Sequence, residues 1–404
     1  MPIDLRALPQ PLALPTPPSV RRWSVVIVTW AALGAGLVIG LWPELQDQSS
    51  LWFWCCAVVF PLLSGLVLLA LRRLFYERQR DFAESWNLQR EEHEQWLVQV
   101  GQRQLAVVTT SYCTATANNR LAEALCNGAS SLQPLYLQES RTTLRVSQLL
   151  PETKLFTEAE YTQRLTARLQ QVVDGLDEDV QALVKKTPMR LRIKHNQVLP
   201  DDQVLSLWQA CIGQARVFDQ VEFASQDDGL LWLDHWLDQP SPAALMLSLE
   251  IHLFLQPVAE QAESVSAVLL ALPEWCAGES VVPADWVQRP VAMTDEVDSF
   301  KDACLWGQVA ETDASYFSWQ TQVSAEDQCR MSKVMTAAGY SPAGDRIKRL
   351  DDVLGLPGSA VGNLALVVAS EHAAASSLPQ LIVLQDASPQ WCFVRPVEIN
   401  KEQS

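Results

Sequence analysis

Between Ala338 and Val368 the chain reads AGYSPAGDRIKRLDDVLGLPGSAVGNLALVV. Its glycines at 355, 358 and 362 are spaced GxxGxxxG. That spacing lacks the GxGxxG pattern of a dinucleotide loop and the lysine of a P-loop. It predicts a tight turn that lets a helix approach a strand. Downstream, residues 381–385 and 391–397 read as strands that pair in a closing hairpin. Upstream, strand-type runs at 105–109, 189–193, 220–224, 243–253 and 265–272 alternate with helical patterns at 118–125, 161–184, 202–213 and 229–237. The helix at 118–125 has Asn118 or Asn119 as its expected cap. Strands alternating with helices predict an α/β sheet covered on both faces. No tandem repeat of fixed period is visible.

The N-terminal part is of another kind. Residues 23–43 and 48–71 carry no charge, and each is long enough to cross a hydrocarbon layer of about 30 Å. Arg21 and Arg22 precede the first run, and Arg72, Arg73, Arg78 and Arg80 follow the second, while the loop between holds Glu44 and Asp47. Basic residues stay inside, so both ends of this hairpin are expected in the cytoplasm, at a bacterial inner membrane. The expected organisation is a disordered tail over 1–22, a two-helix transmembrane hairpin over 23–71, a helical connector over 72–101, a cytoplasmic α/β domain over 102–398 and a tail over 399–404.

Composition excludes several functions. The net charge is −17, which excludes a general nucleic-acid binder. Residues 74–404 hold 25 basic and 44 acidic side chains, so attachment depends on the spans and not on a basic patch. The nine cysteines contain no CxxC pair, and the five histidines, His93, His195, His235, His252 and His372, form no HExxH pattern. No metal or cofactor is expected. Cys211, at a helix end, is weighed as a nucleophile and read as an apolar filler. His252 is read as a hydrogen-bonded structural histidine, and Asp234, His235 and Asp238 as a surface group.

The order of elements, with particular residues inside it, resembles the thiolase-like fold and within it the β-ketoacyl synthases. The resemblance covers about residues 104–398. It rests on the strand, loop and helix of 105–128, on Ser266-Ala-Val-Leu-Leu-Ala-Leu272, on Ser341-Pro-Ala-Gly-Asp345 (similar to "TPLGD"), and on Gly355-Leu-Pro-Gly-Ser-Ala-Val-Gly362 (similar to "GHTGAASG"). It implies a layered α-β-α-β-α domain. It also implies a cysteine nucleophile and two histidines, and these are missing. The nucleophile position falls near Ala224-Ser225-Gln226-Asp227, and the histidine positions fall at Ala337 and Leu356. The resemblance therefore implies a pseudoenzyme. Degenerate relatives of this kind accompany bacterial type VI secretion effectors, which implies an adapter or chaperone whose partner is a secreted effector or a spike component. Two rival readings are an acyl-thioester binder or enzyme of fatty-acid or polyketide metabolism, and an inner-membrane immunity protein. A homodimer is left open. For the protein-binding surface the candidates are Trp232, Trp236, Trp306 and Trp319, four of 15 tryptophans, since tryptophan is favoured in interface hot spots.

Overall fold

The computed structural model describes residues 3–43, 50–137, 141–151, 155–176, 187–213, 218–224, 229–294, 297–309, 315–340 and 344–397. The chain divides into two compact units, 2–97 and 98–404.

In the smaller unit, helix α1 (Val20–Leu41) and helix α2 (Leu51–Gly101) are both long and apolar enough to cross a membrane. Pro61 has no N–H to offer the preceding turn, and a π-turn at Cys55–Val59 lies just ahead of it. The helices approach through small residues. A Cβ on Gly34 would lie 2.6 Å from Pro61, and Trp30 Nε1 donates to Ser64 Oγ at 2.9 Å. The expected connector is the continuation of α2 without a break. Arg73–Glu77, Arg80–Glu84 and Arg90–Glu94 pair along it at i,i+4, each worth about 0.2–0.5 kcal/mol. Within the expected tail the described residues make local contacts. Leu5–Ala7 form a 3-10 turn, and the Asn87 amide clamps Leu12, accepting from its N–H at 2.8 Å and donating to its carbonyl at 2.9 Å. Arg90 Nε holds the Pro9 carbonyl at 2.7 Å.

The larger unit is a duplicated α/β structure. Its first half has strands β1 (Gln104–Thr114), β4 (Met189–His195), β5 (Phe218–Phe223), β6 (Leu245–His252) and β7 (Ser264–Ala271), preceded in part by the small hairpin β2 (Gln133–Leu137) and β3 (Thr142–Val146). Its second half has β8 (Asp285–Gln288), β10 (Phe317–Thr321), β11 (Ile347–Arg349), β12 (Gln380–Gln385) and β13 (Pro389–Pro396), with β9 (Val291–Ala292) beside β13. The strand order is β5-β4-β6-β7-β1 in one half and β11-β10-β12-β13-β8 in the other. Numbered within each half, both read 3-2-4-5-1. In both, the second strand runs parallel to the third and fourth, and the fifth is antiparallel to the fourth and first. Antiparallel pairing of β1 with β8 joins the halves. The hairpin expected at the end of the chain is β12–β13.

Helices α3 (Leu121–Cys126), α4 (Glu158–Asp174), α5 (Asp201–Ile212), α6 (Trp232–Leu237), α7 (Pro273–Glu279), α8 (Val297–Trp306), α9 (Ala325–Ala338) and α10 (Val361–Ser376) build the layers. The core falls into three parts. One outer core packs α4 and α5 on the first half, and another packs α8 and α9 on the second. The central core holds α3, α6 and α10 between inward-facing residues of both halves. Helix α10 is buried all round from Val361 to Ser370, as a helix with sheet on two sides must be. These are the layers of the expected α-β-α-β-α arrangement. Helix α3 starts later than expected. Arg120 at φ 50° precedes it, and Asn118 Oδ1 accepts from Thr114 N instead of capping. Helix α4 starts earlier, at a capping box between Thr157 and Glu160. Part of the expected 161–184 helix lies outside the described residues.

Candidate functional site

The site begins with the sequence of β4, Met189-Arg-Leu-Arg-Ile-Lys-His195. Period-two alternation sends Leu191 and Ile193 into the outer core and puts Arg192 and Lys194 on the opposite, central face. The neighbouring strand β6 likewise sends Leu247, Leu249 and Ile251 outward and keeps Ser248, Glu250 and His252 central. Arg192, Lys194 and Glu250 are 2%, 1% and 0% exposed, so three formal charges lie inside the protein.

They are closed into a network. Arg192 Nη1 donates to Glu250 Oε1 at 3.2 Å, and its guanidinium lies 4.5 Å over the Trp232 ring. Lys194 is ion-paired with Asp386 at the end of β12. The second oxygen of Glu250 accepts the Asn363 N–H at 2.7 Å, in the first turn of α10. Asp386 accepts the Gly229 N–H at 2.9 Å, and Gln390 accepts the Leu230 N–H at 2.8 Å, both where the chain enters α6. Burial pushes the Glu250 carboxyl above the ordinary carboxylate value, and Lys194, Arg192 and the Asn363 N–H oppose that shift. Gly362 makes the close approach possible, since a Cβ there would stand 2.9 Å from Glu250 Oε1.

Beside the network stands His252. Its Nδ1 faces the Ser359 N–H at 3.2 Å and the Ser359 hydroxyl at 2.9 Å, and its Nε2 lies 2.9 Å from Gln261 Oε1. Both ring nitrogens are thus engaged, and the buried imidazole is neutral. Burial drives its pKa down to about 4. Gly358, at φ +52°, is the glycine the turn requires, because a Cβ there would overlap the His252 ring. The predicted tight turn between helix and strand is thus present at this position. A groove of about 550 Å³ opens at the ends of β10, β11 and β12, lined by Gln322, Asp351, Leu356 and Asp386 among others.

The residues singled out from sequence fare unequally. Leu356 lines this groove, where the resemblance places a histidine. Ala337 does not. It is an exposed residue in the last turn of α9, so the motif register that put a histidine there is wrong. The segment that leaves the sheet at the groove is 321–324. Of the nucleophile position at 224–227 only Ala224 is described, and residues 225–228 and 341–343 lie outside the described residues. Cys211 is in the last turn of α5, where the helix dipole disfavours a thiolate, and its pKa is raised by burial and by Asp174. Burial also pushes Cys113 and Cys276 up to about 11 and Cys304 and Cys392 up to about 12. Asp234 and Asp238 are not a surface group. Both pair with buried Arg289, the second at 2.8 Å.

The four tryptophans proposed as a surface require a correction. Trp232, Trp236, Trp306 and Trp319 are only 8%, 1%, 2% and 1% exposed. Trp232 stacks on Trp236 with centroids 6.3 Å apart, Trp306 packs on Gly101, and Trp319 Nε1 donates to Gln380 Oε1 at 3.1 Å. The offset of Trp232 and Trp236 from the leucine stripe of α6 does not expose them, because the buried face of α6 is wide enough to take Trp232, Leu233, Trp236 and Leu237 together and leaves only His235 exposed. Sequence reasoning missed the network itself. Its signal was the run of alternate cations in β4, between apolar residues.

No family model and no curated protein matches the sequence. Solved structures do. The ketosynthase from module 1 of the bacillaene synthase of Bacillus amyloliquefaciens FZB42 aligns over 74% of this chain and 77% of its own, with TM-score 0.52 and 11% identity. A β-ketoacyl synthase from Burkholderia phymatum STM815 aligns over 73% of this chain and 100% of its own, with TM-score 0.54 and 8% identity. The repeated 3-2-4-5-1 halves, the helix buried between them and these likenesses give the chain the thiolase-like fold of the ketosynthases.

Proposed function

We propose that the chain is a membrane-anchored, non-catalytic protein of ketosynthase fold that works by binding another protein, as an adapter or chaperone for a type VI secretion effector. The observation that carries the non-catalytic reading is the closed network at the convergence of the two halves. Arg192, Lys194, Glu250 and Asp386 neutralise one another, and the two carboxylates accept the N–H groups that lead into α6 and α10. A catalytic thiol needs a lowered pKa, and six of the described cysteines have theirs raised. His252, with both ring nitrogens engaged, is a structural element. The anchor reading rests on the two apolar helices and on the arginines that flank them, which favour cytoplasmic ends for both. The choice of a secretion effector as partner rests on the sequence resemblance.

The test is covalent. The full chain in micelles is incubated with an acyl-thioester analogue, and adducts are mapped by mass spectrometry. No adduct above the rate of a free thiol is expected, and Cys211→Ala behaves as the parent. Rapid labelling of one residue, or turnover of a malonyl thioester, ends the non-catalytic reading. Association with an effector encoded beside the gene, absent for unrelated effectors, tests the adapter role.

A further inference from the structure

The larger unit has another cleft at the other end of the sheet. It measures about 840 Å³, within the usual range of ligand clefts, about 300–1,000 Å³. The residues around it come from the start of β1, the end of β13, the turn from β7 into α7 and the end of α6. Strand β6 shows the separation. Leu245 pairs with Ala271 beside the cleft, and His252 stands at the far end of the strand, about 23 Å away at 3.3 Å per residue.

Its chemistry is unlike that of the surrounding protein. Leu237, Leu272 and Trp286 contribute apolar lining, and two arginines, Arg103 and Arg395, line it against one acid, Glu274. Arg103 is exposed, and Arg395 is half-buried and donates to Gln308 Oε1. In a chain of net charge −17, a cleft with a cationic rim selects anions from solution and repels copies of the same acidic surface. The amides of Gln102, Gln104 and Gln308 line the same cleft and are held in place by Leu305, Gln288 and Arg395, each keeping a further donor or acceptor site for a polar ligand. We propose that this cleft docks an acidic peptide segment of the partner protein, with carboxylates on Arg103 and Arg395 and an apolar side chain against Trp286. This rests on the interaction reading above and names the chemistry of the partner.

The test uses dye-labelled decapeptides of alternating Glu and Leu, Gln and Leu, or Lys and Leu, and the full chain in zwitterionic micelles, read by fluorescence anisotropy. The Glu peptide is expected to bind at least tenfold tighter than the Gln peptide, a difference of about 1.4 kcal/mol, and to weaken with salt. Arg103→Glu with Arg395→Glu should lose that preference and favour the Lys peptide. If the double variant loses its melting transition, Arg103→Glu alone, at an exposed position, should still cost about threefold. Equal binding of Glu and Gln peptides, or an unchanged preference in a folded variant, overturns the proposal. So does binding of laurate with no binding of peptide, which assigns the cleft to a small amphiphile, or self-association that the peptide blocks, which assigns it to a second copy. Catalytic turnover would sink the non-catalytic reading and leave this charge selectivity untouched, so the two failures are distinguishable.

Discussion

Arg192 and Glu250 should be strongly destabilising to remove singly and much less so together. Both are almost completely buried, joined at 3.2 Å, with Trp232 on one side and the first turn of α10 on the other. Taking one ion from a dry pair leaves the other uncompensated, at about 3–5 kcal/mol. Arg192→Met keeps the volume and should cost that much. Glu250→Leu should cost the same and additionally strand the Asn363 N–H, which adds about 1–3 kcal/mol. In the double variant no charge is left alone, so the coupling should recover about 3 kcal/mol or more, and what remains is the stranded N–H. Glu250→Gln, which still accepts from Asn363, should sit between the parent and Glu250→Leu. The assay is urea unfolding of the full chain in micelles, followed by circular dichroism, as a double-mutant cycle. Salt should change the coupling little, because the pair is screened from solvent. Single variants that cost less than about 1 kcal/mol, or single effects that simply add, would refute the pairing and with it the view that the centre is held by its own charges.

Gly358→Ala should destabilise by more than about 2 kcal/mol, through the positive φ and the overlap with His252, and His252→Ala in the same chain should recover part of the loss in thermal melts. The neutral His252, with a folded pKa of about 4 against 6.5, contributes stability above pH 6.5 that falls by about 3 kcal/mol as pH drops towards 4. Asp285 has the opposite sign. It lies buried on β8 against Ser370, and burial lifts its pKa from 3.8 to about 7, so its contribution is full below pH 3.8 and is lost as pH rises towards 7. The two slopes offset one another between pH 4 and 6.5. Melts of Asp285→Asn should therefore become more stable with rising pH there, His252→Gln less stable, and two flat profiles would contradict both assignments. A reporter active only outside the cytoplasm should be silent after Gln79 and active near Gln46. The reverse pattern removes the proposed topology.

Much of the framework was legible because it obeys local rules. The apolar runs of β4, β6 and β7 and the glycines at 355, 358 and 362 read correctly, since each encodes a strand face or a turn. The duplication did not show. The two halves share 3-2-4-5-1 pairing, but pairing is set by which faces are apolar, and many sequences satisfy that. Asn118 misled because a side chain that caps helices equally well closes a turn onto Thr114. Trp232 and Trp236 misled for a different reason. A tryptophan offset by about 100° from an apolar stripe was taken to lie at its edge, and the buried face of α6 is wide enough to include both, with only His235 exposed. Arg192 and Lys194 were visible in the sequence as alternate residues of a strand, but nothing local to β4 shows that their acceptors are Glu250 and Asp386, 58 and 192 residues away.

The network also satisfies the buried helix N-termini of this thiolase-like fold. A helix N-terminus buried in a core must find acceptors for its free N–H groups. In this protein the acceptors are its own carboxylates. Glu250 takes the Asn363 N–H of α10, Asp386 takes the Gly229 N–H before α6, and Glu371 takes the Ala122 N–H of α3. Arg192 and Lys194 supply the countercharge for the first two. An anionic ligand or a thiolate at this place would have to displace a carboxylate that is already paired and desolvated. At about 3–5 kcal/mol for opening one buried pair, that lowers affinity by roughly two to three orders of magnitude. The same interactions that stabilise the contact between the halves therefore oppose an anion at this place, whereas the cleft at the other end of the sheet presents the exposed Arg103.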